Sequence, residues 1–456
     1  MLSALDHAGT SATLMAAEAF TPANVVADRF LHVVLFITVV SSFYILVEPA
    51  PYDYLTVALG FACILARVSI NRVILPLLVL LLVRDASGAL GLLKILNFGW
   101  VQLAGDPIAT IITFDYPDSI RFLAISFYLG LSAVMYACIS AQDTMRRIKT
   151  IRAAFVLSAV IAASLGTIGY FKLIPGLDVM FTDGFRISGG FKGPNDFAGF
   201  MVPALLWLIE GFMLDRIRIH NLVASIIIFI GLLLSFSRGG WGSFFVTAVM
   251  MVYLLFVTQR QPRIRRRITF QVIAGVVAVM SILTALSSVD TIRQSITERA
   301  QVQDYDVGAD NRSRFNLEVD SFKAMFDHPL GMGPWGFAHA TNWVSHETFI
   351  GTALNHGWVG GAAYLTLIVL TLYVGFRSIW ISAPWQAFLI ATYAAFIAMV
   401  FEGIFGDTDH WRHFYILLGL VWGLAAATQK HLRAGRYAAA QNSPVASPRA
   451  RGYSIG

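Results

Sequence analysis

The stretch HETFIGTALNHGWVGG, residues 346–361, joins a long polar segment to a run apolar enough to cross a bilayer. A hydrocarbon core about 30 Å thick takes roughly 20 such residues as a helix. At about 100° per residue, His346, Ile350, Ala353, Gly357 and Gly361 share one helix face. Ala353, Gly357 and Gly361 form a stripe of small residues at spacing four, the pattern that lets membrane helices approach closely. His346 stands at the mouth of that helix. A titratable group at such a depth is costly, which makes it a functional candidate. His356 points away from this face and reads as packing or hydrogen bonding within a bundle.

Further runs of the same kind fill the chain. Of its 456 residues, 57% are hydrophobic and only 13% charged, against about 25% charged in a soluble domain. Apolar spans begin near Leu31, Tyr54, Val73, Ser119, Ile151, Asp196, Asn221, Gly240, Ile268, His346, Trp385 and Phe414. The fold class expected is therefore all-α, a polytopic transmembrane helical bundle of about twelve spans over residues 1–428. Residues 429–456, rich in Ala, Ser, Pro and Arg, read as a disordered cytoplasmic tail. Cys63 and Cys138 lie inside apolar runs and read as small packing residues, with neither disulfide nor metal spacing. Residues 1–28 lack the basic start and short apolar core of a cleaved signal peptide.

The net charge of +6 bears on topology rather than on nucleic acid. Alternate loops and both ends hold 20 of the 33 Lys and Arg residues, notably at 146–152, 216–218 and 260–267. By the positive-inside rule these loops and both termini are cytoplasmic. The third span is interrupted by Arg84 and Asp85, which neutralise each other locally in the simplest reading; a separate interfacial helix over 88–102 is the alternative course for this stretch.

This topology puts the unusual polar segments on one side, opposite the basic loops. The long loop 287–345, between spans nine and ten, contains DNRSRFNLEVDSFKAMFDHPLGMGPWGF (310–337). There Arg312 and Arg314 precede Leu317, Phe322, Met325 and Phe326, the spacing of an amphipathic helix at a membrane surface. In RISGGFKGPNDFAGF (186–200), Arg186 and Lys192 flank glycines, and Asn195 is placed to cap the sixth helix. Such a helix start with nearby cations favours an anion; an ordinary capped loop is the alternative. In SFSRGGWG (235–242), Arg238 sits at a tight helix-to-helix bend and needs either a protein carboxylate or a substrate phosphate. FEGIFGDTDHWRHF (401–414) gathers Glu402, Asp407, Asp409, His410, Arg412 and His413, suited to capping and salt bridging or to a metal. A histidine can take a proton from a hydroxyl while arginines hold a diphosphate leaving group, which describes displacement of a diphosphate by a sugar hydroxyl.

These motifs together resemble the O-antigen ligase and polymerase superfamily. The resemblance rests on His346 followed by Gly357 and Gly360, on SFSRGG, on RISGGFKGPNDFAGF and on SRFNLEVDSFKAMFDHPLGMGPWGF, in order over 181–361, with a ligase-like core at about 181–375. It implies a multi-pass enzyme of the bacterial inner membrane, needing neither cofactor nor metal. Such an enzyme transfers glycan from an undecaprenyl-diphosphate carrier on the periplasmic side, with inversion. It implies His346 as the catalytic base, with Arg186, Arg238, Arg312, Arg314 and Lys192 at the diphosphate. Glu347, Asp407, Asp409, His410 and Arg412 would orient or support. The acceptor would be lipid A-core or a lipid-linked repeat unit, within lipopolysaccharide or exopolysaccharide synthesis, and export and chain-length proteins would be partners beside membrane lipid. The 406–414 segment is similar to relatives from exopolysaccharide clusters, which favours a polymerase. Glu347 departs from the polar neutral residue usual after the histidine, and a carboxylate there favours the protonated ring.

A transporter, of bicarbonate or of a lipid-linked glycan, is the rival reading. It calls for polar residues near mid-bilayer on broken helices, whereas the spans here read as largely clean and unbroken.

Overall fold

A computed structural model describes residues 22–98, 116–215, 217–288, 314–341, 345 and 347–441. The chain is an all-α polytopic membrane protein. Its long helices are α1 (Pro22–Val40), α2 (Pro51–Leu65), α3 (Leu75–Phe98), α4 (Tyr116–Ser140), α5 (Thr144–Tyr170), α6 (Pro194–Leu214) and α7 (Ile219–Leu234). They continue with α8 (Arg238–Thr258), α9 (Pro262–Ser287), α10 (Arg314–Asp327), α11 (Thr348–Ile379), α12 (Gln386–Phe405) and α13 (Arg412–Gln441). Among the described residues, nine helices are long and apolar enough to cross a membrane, while α2 and α7 are shorter apolar helices. Each of the twelve expected starts falls on or within two residues of a helix, and α10 is the amphipathic helix expected in the long loop.

Three expectations about the helices need correction. α3 runs unbroken through Arg84 and Asp85 to Phe98, so no separate helix begins at 88; apolar neighbours on both sides keep the helix going once the two charges are paired inside the protein. α13 continues to Gln441, past residue 429 where a disordered tail was expected to start. Alanine at 425–427 and 438–440 is the strongest helix former and sustains it. α11 is not one continuous helix, because Gly357 adopts φ 72° and ψ 179° in its midst.

The bundle packs α3 on α11, α4 on α13, and α12 on both α6 and α8. At the α4–α13 contact, a methyl on Gly419 or Gly423 would strike backbone carbonyls of Ala133 or Ala137. The small-residue spacing of four read at 353–361 therefore operates here instead, at 419 and 423. Trp207, Trp422, Tyr136, Phe155 and Phe200 are fully buried. The two buried indoles still donate, to Thr392 Oγ1 at 3.1 Å and to Thr371 Oγ1 at 2.9 Å, as a desolvated N–H requires. A long row on α9, including Phe270, Ile273, Val276, Val277 and Met280, is exposed, as a lipid-facing helix demands.

Candidate active site

The two glycine-rich motifs meet. Arg186, in the short strand Arg186–Ile187, donates from Nε to Ser235 O at 2.8 Å and from Nη2 to Asn195 Oδ1 at 2.8 Å. Its fork ties the 186–196 segment to the bend before Arg238. The bend itself is a capped helix start: Ser237 is the N-cap of α8 and accepts from Gly240 N at 3.2 Å. Asn195 is not the cap of α6, because Pro194 occupies the first helical position and the capping place falls on Gly193; its amide serves Arg186 instead.

The end of α12 joins this motif to the next. Glu402 accepts from Ser243 Oγ at 2.9 Å, and its carboxylate closes against Gly239, where a side chain would collide with it. One residue on, Gly403 packs against Thr348 and Thr408. Thr348 Oγ1 donates to Gly406 O at 2.9 Å and accepts from Thr408 N at 2.8 Å, pinning the 406–411 turn to the start of α11. Ser345 is buried and donates to Glu318 of α10 at 3.2 Å. Segments 186–196, 235–243, 345–348 and 402–411 thus gather at one end of the bundle.

His346 and Arg312 lie outside the described residues. Arg314 opens α10, though its side chain is likewise outside them, and Glu347 stands half-buried just before α11. Lys192 and Arg412 are drawn into ion pairs. Lys192 pairs with Glu48, which also receives Arg121 at 2.8 Å. Burial by itself would raise the Glu48 carboxyl, but the Lys192 ammonium, with Arg412 and Arg121, holds it below its usual range. Arg412 forks onto Asp53, Nε to Oδ1 at 2.9 Å and Nη2 to Oδ2 at 2.8 Å. Its role here is to bind α13 to α2.

Asp407 and Asp409 line a cavity of about 40 Å³ with Phe122, Trp335, Phe337, Ala338, Ser345 and Asn355. The two carboxylates differ. Asp409 is buried; burial would raise it, yet the Arg84 guanidinium outweighs that and keeps it below the usual carboxylate range. Asp407 is exposed on the turn, yet desolvation of its carboxyl first, and the Asp409 charge second, push it up to about 6. Asp409 N also donates to Asp407 Oδ1 at 3.0 Å, closing the turn. Among the described residues, no group of three or more His, Cys, Asp or Glu could hold a metal ion.

Beneath the cavity lies a residue that sequence reasoning treated too locally. Arg84 is fully buried and bonds Asp85 at 2.8 Å, Asp409 Oδ1 at 3.1 Å, Tyr415 Oη at 2.8 Å and Ser126 O at 3.1 Å. One guanidinium joins α3, α4, α13 and the 406–411 turn. The His410 ring lies tilted against Phe122, centroids 4.2 Å apart, and meets Ser126 Oγ at 3.2 Å. His356 is fully buried beside Phe122, in space that Gly88 leaves open, and neither ring nitrogen has a hydrogen-bond partner among the described residues. Packing, one of the two readings of His356, is what its ring does, and its backbone carbonyl accepts from Ser87 Oγ at 2.6 Å. A charge in the middle of an apolar run was the signal for Arg84, but its partner Asp409 lies 325 positions away.

Residues 223–365 match the family model described as O-antigen ligase. The chain is similar to the O-antigen ligase and polymerase superfamily. The matched stretch includes the Arg238 bend, α10 and the broken half of α11, three of the four motifs that carry the resemblance; the 186–200 motif lies outside it. A relative from Salmonella muenchen described as an O-antigen polymerase is 21% identical over 227 residues, 49% of this chain and 51% of that protein. The chain spans about half the length of this curated relative.

Proposed function

We propose that this protein is a glycosyltransferase of the bacterial inner membrane. It moves a glycan from an undecaprenyl-diphosphate carrier to a sugar hydroxyl on the periplasmic side, with both termini cytoplasmic. The observation that carries the reading is the convergence of polar segments from inside and outside the matched stretch at one bundle end: Arg186 bound to the Arg238 bend, and Ser345, next to His346, lining a cavity with two carboxylates. In the proposed step the acceptor hydroxyl oxygen forms a bond to the anomeric carbon. The bond from that carbon to the diphosphate oxygen breaks, and its electron pair leaves with the diphosphate. The hydroxyl proton passes to the His346 imidazole. Arg186 and Arg238, with Arg312 or Arg314, stabilise the charge growing on the diphosphate. Direct displacement inverts the anomeric centre, and no step calls for a metal.

The relative's description, together with the 406–414 segment, favours a polymerase, whose acceptor is another lipid-linked repeat unit, over a ligase acting on lipid A-core. Purified protein in lipid nanodiscs, given the undecaprenyl-diphosphate-linked repeat unit, should release undecaprenyl diphosphate and build longer lipid-linked glycan, with chelator present. Supplying lipid A-core in parallel separates ligase from polymerase. His346→Ala should lower the rate by about 10²–10⁴, the usual worth of a general base; full transfer by this variant would remove His346 from that role.

The break in α11 is what a transport reading would seize on. Its freed backbone groups, however, are taken by the chain itself: Leu354 O accepts from Met332 N at 2.7 Å and Trp358 N donates to Pro329 O at 2.8 Å. A gap filled by loop backbone supports a structural joint rather than an ion site.

A further inference from the structure

The cavity beside Ser345 has a chemistry of its own. Phe122 and Phe337 are nearly buried within its wall, and Trp335 stands at its edge, 39% exposed. Trp335 also holds φ 65°, a left-handed backbone that a bulky side chain adopts only under constraint. Its ring is braced edge-on by Phe122 at 5.8 Å, and the preceding carbonyl, Pro334 O, accepts from Ser119 Oγ at 3.1 Å. Strain maintained by surrounding contacts tends to mark functional positions. The polar lining is planar and hydrogen-bonding: the Asn355 amide, half-buried and without a bond among the described residues, and the carboxylates of Asp407 and Asp409. About 40 Å³ is room for a few waters, or for the hydroxyls along one edge of a ring.

This lining selects among ligands. Two carboxylates repel a diphosphate, so the carrier's charged group has no place here. A lipid tail would offer no bond to the Asn355 amide or to Asp409 Oδ2, neither of which has a hydrogen-bond partner among the described residues. A sugar ring satisfies everything present, since its C–H face can lie on an indole while its hydroxyls donate to carboxylates and exchange bonds with an amide. We infer that the cavity lined by Trp335, Asn355, Asp407 and Asp409 is the acceptor-sugar subsite. The inference rests on the transferase reading for the word acceptor; the sugar recognition rests on the cavity alone. Trp335 and Asn355 are specificity-determining residues in it, and Asp409 keeps its charge and place through Arg84.

The test uses the full chain in nanodiscs and two separate probes. Oligosaccharides released by mild acid from the host's own surface polysaccharide are titrated by saturation-transfer NMR, and undecaprenyl diphosphate binding is measured by native mass spectrometry. Asn355→Ala and Trp335→Ala should weaken oligosaccharide binding about tenfold or more, equivalent to roughly 1.4 kcal/mol, while Trp335→Phe keeps most of it. All three should bind undecaprenyl diphosphate as the parent does, which also certifies their folding. Unchanged oligosaccharide binding in the first two variants overturns the subsite, as does parallel loss of both probes. Transfer by the parent protein judges the enzyme reading independently: transfer together with variants that bind sugar normally would sink the subsite alone.

Discussion

Arg84 shows how much one side chain can organise. Buried arginine is tolerable only with its donors satisfied and its charge matched, and here Asp85 and Asp409 supply both. Removing it strands two carboxylates in the interior. Arg84→Leu should therefore cost about 3–5 kcal/mol, seen as a large drop in thermal midpoint in detergent, and an unchanged midpoint would show the network to be dispensable. Asp407 makes a prediction of opposite sense. Its folded pKa of about 6 lies above its ordinary 3.8, so its contribution to stability is fully present below about pH 4 and is lost as pH rises through 6. Asp407→Asn, which retains the acceptor for Asp409 N, should thus be more stable than the parent at pH 7.5 and equal to it near pH 4. A midpoint difference that fails to shrink on acidification would contradict the assignment.

Among the elements, α11 is the one whose behaviour depends most on its surroundings. Gly357 interrupts it with a backbone conformation that is essentially glycine's alone, and the turn Pro329–Gly331 fills the gap. A Cβ there would meet Leu330 O at 2.9 Å and Pro329 O at 3.1 Å. Gly357→Ala should cost at least about 1–3 kcal/mol from backbone strain alone, readable in the same thermal assay. Gly275→Ala, in open space on α9, is the matched control and should be neutral or slightly stabilising. The small stripe 353–357–361 looked like a helix contact because spacing in sequence presumes an unbroken helix. Nothing in the residues 346–361 distinguishes a glycine that touches a neighbour from one that yields to an incoming loop.

At the scale of the molecule, the topology itself can be measured. Asp183 and Arg263 are both exposed, at opposite ends of the bundle in the expected arrangement. A cysteine at Asp183→Cys should react with a membrane-impermeant maleimide in cells whose outer membrane has been permeabilised, whereas Arg263→Cys should react only after the inner membrane is opened. The reverse pattern would turn the proposed active site to the cytoplasm. Either variant is read against the parent, whose Cys138 is buried and Cys63 partly so.

The apolar runs alone were enough to specify an all-α membrane bundle and the starts of its helices, because burial of backbone polar groups in lipid leaves a long apolar segment little choice but a helix. The polar clusters at 186–196, 235–242 and 401–414 were likewise legible as unusual polar segments, and the structure brings them together. Their division of labour was not. Whether Lys192 and Arg412 face a ligand or answer Glu48 and Asp53, whether Arg84 pairs with its neighbour alone or also with Asp409, and whether Gly357 packs or breaks were decided by residues from separate segments of the chain meeting in the bundle. Charge pairing and close packing act over a few ångströms of space, and distance along the chain carries no record of them.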